Sequence, residues 1–346
     1  MEKGYCGTSV AEVYVLEIPR FARDDRRLFM RSKTLLFLIF FTIVFPSLCT
    51  AEEGTLEGNQ TCAILVQGSK EPWTTHNLKL VYSTLIKRGV PRENIVVVSP
   101  LVFLALKADN LGSKDPDLDG DGKWDVTLGP TFNNVAEAFE RLGEKVKHNQ
   151  NADIFLYFTM HGLPDTLCLE SITKEKKNIE SVELKEWIRK NFPRSQEIIL
   201  FMDACYSGSF REVLSDNRRD YLFFAAAQES KQSYWGNFKN GERFYTDDNE
   251  AAEKASEPYG WGVFTYYFFS ALNGGYPEGS PISDADVDGN GIVSLEEAYR
   301  YAYSKPVADF SVPGYTGPSL PLFERFQIED LAPPPLREPL GIPFSD

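Results

Sequence analysis

Cys205 and His161 are the two side chains whose type and placement could carry out nucleophilic chemistry. Each follows an apolar run. Ile198-Ile199-Leu200-Phe201-Met202 leads into Asp203-Ala204-Cys205-Tyr206-Ser207-Gly208-Ser209, and Ile154-Phe155-Leu156-Tyr157-Phe158-Thr159-Met160 leads into His161-Gly162. Such runs read as buried strands of a mainly parallel sheet, and reactive groups of open α/β sheets gather at the carboxyl ends of strands. A thiol attacks as its thiolate, so it needs a base or a positive partner. An imidazole, with an ordinary pKa of about 6.5, can take the proton and return it. The N–H groups of Gly162 and of Cys205 itself could hold an oxyanion. Spacing alone leaves open that these are two unrelated strand-end residues. The other histidines, His76 and His148, sit beside helical segments in polar surroundings and read as solvated.

A second kind of chemistry is written in the acidic loops. Asp286-Val287-Asp288-Gly289-Asn290-Gly291-Ile292-Val293-Ser294-Leu295-Glu296-Glu297 follows the D-x-[DN]-x-[DN]-G-x5-E calcium pattern. Asp286, Asp288, Asn290, the Ile292 carbonyl and Glu297 would supply oxygens to a hard cation, and Gly291 would permit the sharp turn. A merely solvated acidic turn is the rival reading. Asp117, Asp119 and Asp121 with Gly122 begin the same pattern, but Leu128 stands where the closing glutamate belongs. Asp125 could complete that weaker site in a looser geometry. Calcium is thus the expected cofactor, in a structural role, and no organic cofactor is expected.

The strand-end motifs resemble those of the caspase-like cysteine peptidases, and within them the legumain (asparaginyl endopeptidase) family. Ile64-Leu65-Val66-Gln67-Gly68-Ser69 is similar to that family's first strand, and Gly89-Val90-Pro91-Arg92-Glu93-Asn94-Ile95-Val96-Val97 to a helix exit and second strand. The likeness runs in order from about Cys62 to Ser233. It implies a three-layer α/β/α fold with a mainly parallel sheet, and a catalytic dyad of His161 and Cys205 with Gly162 in the oxyanion hole. It also implies peptide or protein substrates and a specificity pocket lined by Asp203. An aspartate there favours a basic P1 residue by charge pairing. Trp73-Thr74-Thr75-His76 carries neither the family's pocket arginine nor its supporting asparagine, so basic and Asn/Asp P1 residues both stay open. A catalytically silent calcium-binding scaffold and a transpeptidase or ligase of the same family are the alternatives to an endopeptidase.

The elements that must position these residues alternate between strand and helix. Cys62–Gly68 reads as the first strand, with Gly68 and Ser69 turning the chain. Asn77–Arg88, with Leu78, Val81, Tyr82, Leu85 and Ile86, is an amphipathic helix that Gly89 and Pro91 stop. Asn94–Val98 is the next strand, so the unit is a right-handed βαβ crossover. Further helices are predicted from about Asn133, over Ser181–Lys190 and over Val263–Leu272, with a fifth strand at Tyr221–Ala227 and a surface loop over Gly236–Pro258. The peptidase-like domain is expected over residues 60–311, followed by a proline-rich extended tail over 312–346.

A net charge of -14 argues against a nucleic-acid partner, since no basic surface is concentrated to neutralise phosphates. Residues 1–51 read as an extension and a signal peptide. Met30-Arg31-Ser32-Lys33 opens it, Leu35–Leu48 is an apolar run shorter than the ~20 residues of a permanent span, and Met30 is the expected start. Export to the periplasm or the exterior is expected, with anchoring by an uncleaved segment as the alternative. Three cysteines follow that segment, Cys62, Cys168 and Cys205, and Cys62 could pair with Cys168.

Overall fold

Six strands frame the protein in its computed structural model, which describes residues 61–105, 116–149, 152–170, 176–194, 196–215, 220–244, 260–305 and 322–326. In spatial order they are β12 (Leu322–Phe326), β8 (Tyr221–Ala225), β7 (Ile198–Asp203), β3 (Ile154–Thr159), β1 (Cys62–Gln67) and β2 (Ile95–Val98). Every neighbouring pair is parallel except β12, which runs antiparallel along β8. The signal-like segment expected over residues 1–51 lies outside the described residues. Among the described residues no helix is long and apolar enough to cross a membrane.

Strand alternation divides the core into two layers. Leu65, Phe155, Tyr157, Ile199, Phe201, Leu222 and Phe224 face α1 (Pro72–Lys87), α5 (Val263–Asn273) and α6 (Leu295–Ser304). Their neighbours Ile64, Val66, Leu156, Phe158, Leu200, Met202 and Phe223 face α3 (Phe132–Val146) and α4 (Ser181–Asn191). A short helix, α2 (Leu101–Ala105), follows β2. Helices on both faces of a mainly parallel sheet make the three-layer α/β/α arrangement expected from the sequence. Phe201, on β7 directly before the site, stacks on Phe264 at 4.8 Å and meets Phe268 edge-on at 4.9 Å. A fully buried phenylalanine contributes about 1.5–3 kcal/mol, so this packing fixes the strand that delivers Cys205.

Two small antiparallel sheets rise beyond the carboxyl ends of the main strands. One joins β4 (His161–Leu163), β5 (Thr166–Cys168) and β6 (Asn178–Glu180); the other joins β9 (Trp235–Lys239), β10 (Glu242–Phe244) and β11 (Gly260–Gly262).

Several expectations change. Helix α1 begins at Pro72 rather than Asn77. A proline is preorganised for the first helical position, where its missing N–H costs nothing, and the polar residues Thr74, Thr75 and His76 are buried within the helix's own start. The loop expected over Gly236–Pro258 holds the β9–β10 hairpin, turned by Asn240 and Gly241, both at positive φ. Asn-Gly is the residue pair that such a tight turn requires; residues 245–259 lie outside the described residues. Within the stretch expected to be a tail, Leu322–Phe326 is the edge strand of the main sheet.

All three described cysteines are free. Cys62 lies level with Ile154 at the start of the sheet, whereas Cys168 pairs with His161 beyond its other end. About 17 Å of strand lies between those levels, so a Cys62–Cys168 disulfide is excluded by position.

Candidate active site

Register brings the two strand ends together. Thr159 and Asp203 are partners at the ends of β3 and β7, and the Met160 N–H continues the ladder to the Asp203 carbonyl at 3.3 Å. His161 and Cys205 therefore leave adjacent strands at the same level. A Cβ on Gly162 would collide with the Cys205 carbonyl oxygen, so glycine is what lets the two strand ends approach. After Cys205 the chain turns sharply through Tyr206, at φ 57. That left-handed conformation is costly for an aromatic residue. It is held by Tyr206 N–H to Lys231 O (2.7 Å) and Gly208 N–H to Ala227 O (2.8 Å), where any side chain on Gly208 would strike the backbone of residues 227–229.

The functional groups have distinct partners. Cys205 is part-buried, with its Sγ 3.7 Å from Ser233 Oγ. His161 is about half-exposed, and its Nε2 meets Glu71 Oε1 at 2.7 Å. That hydrogen bond raises the imidazole above its usual range, and the same bond holds Glu71 to about 2. The Trp73 ring stands edge-on to His161 at 6.1 Å. Cys168, opposite His161 on β5, has its thiol pushed up by burial and then by the nearness of Cys205. Glu71 was missed in the sequence, because it lies in a turn with no periodicity or motif.

Asp203, expected to line a pocket, is buried. Its Oδ2 accepts from Thr265 Oγ1 (2.5 Å) and Asn77 Nδ2 (3.1 Å), while Oδ1 is enclosed without a protein partner. Burial pushes its pKa to about 6 despite those two bonds. Asn77 also bonds Thr159 Oγ1 (3.2 Å) and accepts the Gly262 N–H (2.9 Å), so one amide ties β3, β7 and β11 together. Gly262 presses on the carboxylate so closely that a Cβ would overlap it.

His76, expected to be solvated, is buried instead. Its Nδ1 meets the Gly260 carbonyl at 2.7 Å and its ring lies 5.3 Å from that of Trp261, with burial lowering its pKa. His148 is exposed just after α3, at the opposite end of the sheet from Cys205. Neither competes with His161.

The acidic loops differ from each other. Oxygens of Asp286, Asp288 and Glu297 lie within 4.8 Å of one another. Asp286 is oriented by the N–H groups of Gly289 and Gly291 (both 2.8 Å). Glu297 is oriented by Val287 N–H (2.6 Å) and Ser294 N–H (2.9 Å), and closes a capping box at the start of α6. Asn290 Oδ1 accepts from the Ile292 N–H at 2.7 Å. The three carboxylates already converge, so the residues present fit a hard cation. In the other loop Asp117, Asp119 and Asp125 converge, but Asp121 is diverted to Arg92 at 2.6 Å. The same guanidinium reaches Asp119 at 2.5 Å, supplying positive charge where the pattern calls for a metal.

Residues 131–252 match the Peptidase C13 family, a stretch that includes both His161 and Cys205. The chain is 30% identical over 97 residues to the vacuolar-processing enzyme delta-isozyme of Arabidopsis thaliana, covering 27% of this chain and 20% of that protein. It is 30% identical over 105 residues to the hemoglobinase of Schistosoma japonicum, covering 30% of this chain and 24% of that protein. The matches thus span about a quarter or less of each relative. A crystal structure of caspase-1 from Spodoptera frugiperda aligns over 78% of this chain and 89% of that one, with a TM-score of 0.42 and 11% identity. The likeness to legumain-type proteins read from the motifs is met by the family match and the two relatives.

Proposed function

We propose that this chain, with its segment matching the Peptidase C13 family, is a cysteine-type endopeptidase acting through Cys205 and His161. The observation that supports this reading is the Thr159–Asp203 register, from which His161 and Cys205 each follow two residues later on adjacent buried strands. In the reaction, Cys205 Sγ passes its proton to His161 and attacks the peptide carbonyl carbon. The resulting oxyanion faces the amides of Gly162 and Cys205. Collapse breaks the C–N bond as His161 protonates the leaving amine. Water, deprotonated by the same imidazole, then cleaves the thioester.

Asp203 lies beneath the P1 position in this reading. Being buried, it acts on the P1 side chain through its charge from beneath, and P1 Asn and basic residues both stay open. Calcium bound by Asp286, Asp288, Asn290, the Ile292 carbonyl and Glu297 would serve a structural role, bracing the start of α6.

The test is labelling of Cys205 by a peptidyl electrophile, with turnover of a peptide library. Labelling lost in His161→Ala and turnover lost in Cys205→Ala, with both variants folded, are the expected results. A wild-type thiol that labels no faster than a free cysteine would replace the peptidase reading with a silent scaffold.

A further inference from the structure

Glu71 occupies the N-cap position of α1, where a carboxylate ordinarily accepts an N–H from the first helical turn. Here the side chain makes no capping bond. The backbone takes over part of that task, since Glu71 O accepts from Thr74 N–H (3.1 Å) and Thr74 Oγ1 (2.8 Å). The carboxylate is thereby released toward His161, with Oε1 on Nε2 and Ser69 as a further hydrogen-bond partner. Pro72 fixes the chain immediately after it, so the carboxylate is held at a rigid corner rather than on a free loop.

We propose that Glu71 is the positioning residue of the dyad: it holds His161 by Nε2, leaves Nδ1 for Cys205, and keeps the ring cationic beside the thiolate. This rests on the Cys205/His161 reading. The groups around the imidazole are Glu71 from the turn before α1, Glu170 following β5, Cys168 opposite on β5, and Cys205 beyond β7. Both carboxylates favour the imidazolium, but only Glu71 is bonded to it; Glu170 Oε2 is occupied by the Lys70 N–H at 3.1 Å. A carboxylate on the far nitrogen fixes the tautomer and stabilises the cation that forms when the thiol is deprotonated.

The chain has three histidines, so each imidazole can be followed by NMR titration. In wild type His161 should keep its proton to higher pH than an ordinary imidazole does. Glu71→Gln should bring His161 down toward the ordinary imidazole range, and Glu170→Gln should move it less. In turnover assays Glu71→Gln should shift the alkaline limb to lower pH and cut kcat by about tenfold or more, with KM unchanged. If Glu71→Gln does not fold, Glu71→Asp, one methylene too short to reach, gives the same readout. An unmoved His161 titration in a folded Glu71 variant overturns the proposal. A wild type without turnover but with a Glu71-dependent titration would instead overturn the peptidase reading alone.

Discussion

Gly162 lies against the backbone carbonyl of Cys205, with no room between them for a methyl group. The contact joins the histidine-bearing strand end to the cysteine-bearing one, and it sets how closely two amides can converge on one oxyanion. Gly162→Ala must push the β3 and β7 ends apart. Removal of an oxyanion donor costs about 10²–10³ in kcat, and a loss of that size is expected here, with the fold retained by the buried strands beneath. Circular dichroism and thermal melts check the fold; near-wild-type turnover by a folded variant would remove Gly162 from the site.

Asp203 carries the sharpest pH dependence. Its pKa of about 6 lies above the ordinary aspartate value because the carboxylate is buried. It is neutral below that pH and charged above it. Cleavage after a basic P1 residue should therefore weaken as pH falls from 7 to 5, by up to about tenfold per unit, relative to cleavage after Asn. Paired substrates differing only at P1 measure the ratio, and a ratio independent of pH would remove Asp203 from P1 recognition. The sign for stability is the opposite. A raised folded pKa gives stability that is fully present below the unfolded value and lost as pH rises through about 6. Asp203→Asn should accordingly gain stability over wild type at pH 7.5 compared with pH 4.

Calcium should brace the last helix. Glu297 both closes the ligand cluster and caps α6, whose Leu295, Ala298 and Tyr299 enter the core beside Phe224 and Phe264. Binding to the folded state alone adds about 2.7 kcal/mol when calcium is a hundredfold above its Kd, so EDTA should lower Tm by several degrees. Asp288→Asn, at an exposed ligand position, should abolish that calcium increment while leaving the EDTA-treated Tm close to wild type. Equal melting temperatures with calcium and with EDTA would exclude the site.

What could be read from the sequence follows from how locally each feature is encoded. The strands bearing His161 and Cys205 are uninterrupted apolar runs, and burial on both faces writes that pattern directly. The calcium loop is likewise a contiguous string of ligands. Glu71, Asn77 and Arg92 were not visible as participants. Each acts across the fold, Glu71 on a residue 90 positions away and Asn77 on one 126 away. A polar residue with a distant partner leaves no periodicity. Thr74, Thr75 and His76 misled for a related reason. Gln67 Nε2 satisfies both threonine hydroxyls (3.0 and 2.8 Å), so a polar helical turn can be buried. The Asn240-Gly241 hairpin was legible by its residue pair and was overlooked beside a long polar stretch.

Arg92 decides the state of the first acidic loop. It precedes β2 and reaches Asp119 and Asp121, with Asp125 at 3.7 Å. A cation entering among Asp117, Asp119 and Asp125 must displace or be repelled by that guanidinium. Removing that positive charge lessens the repulsion of an entering cation, so Arg92→Gln should bind cations more tightly than wild type. Trp124, half-exposed within the same loop, provides the readout, because it can sensitise terbium luminescence there whereas residues 286–297 contain no tryptophan. Wild type should show weak sensitised emission and Arg92→Gln a saturable rise that calcium competes away. Identical titrations in the two proteins would show that Arg92 does not govern the loop, and strong emission in wild type would show that a metal already displaces it.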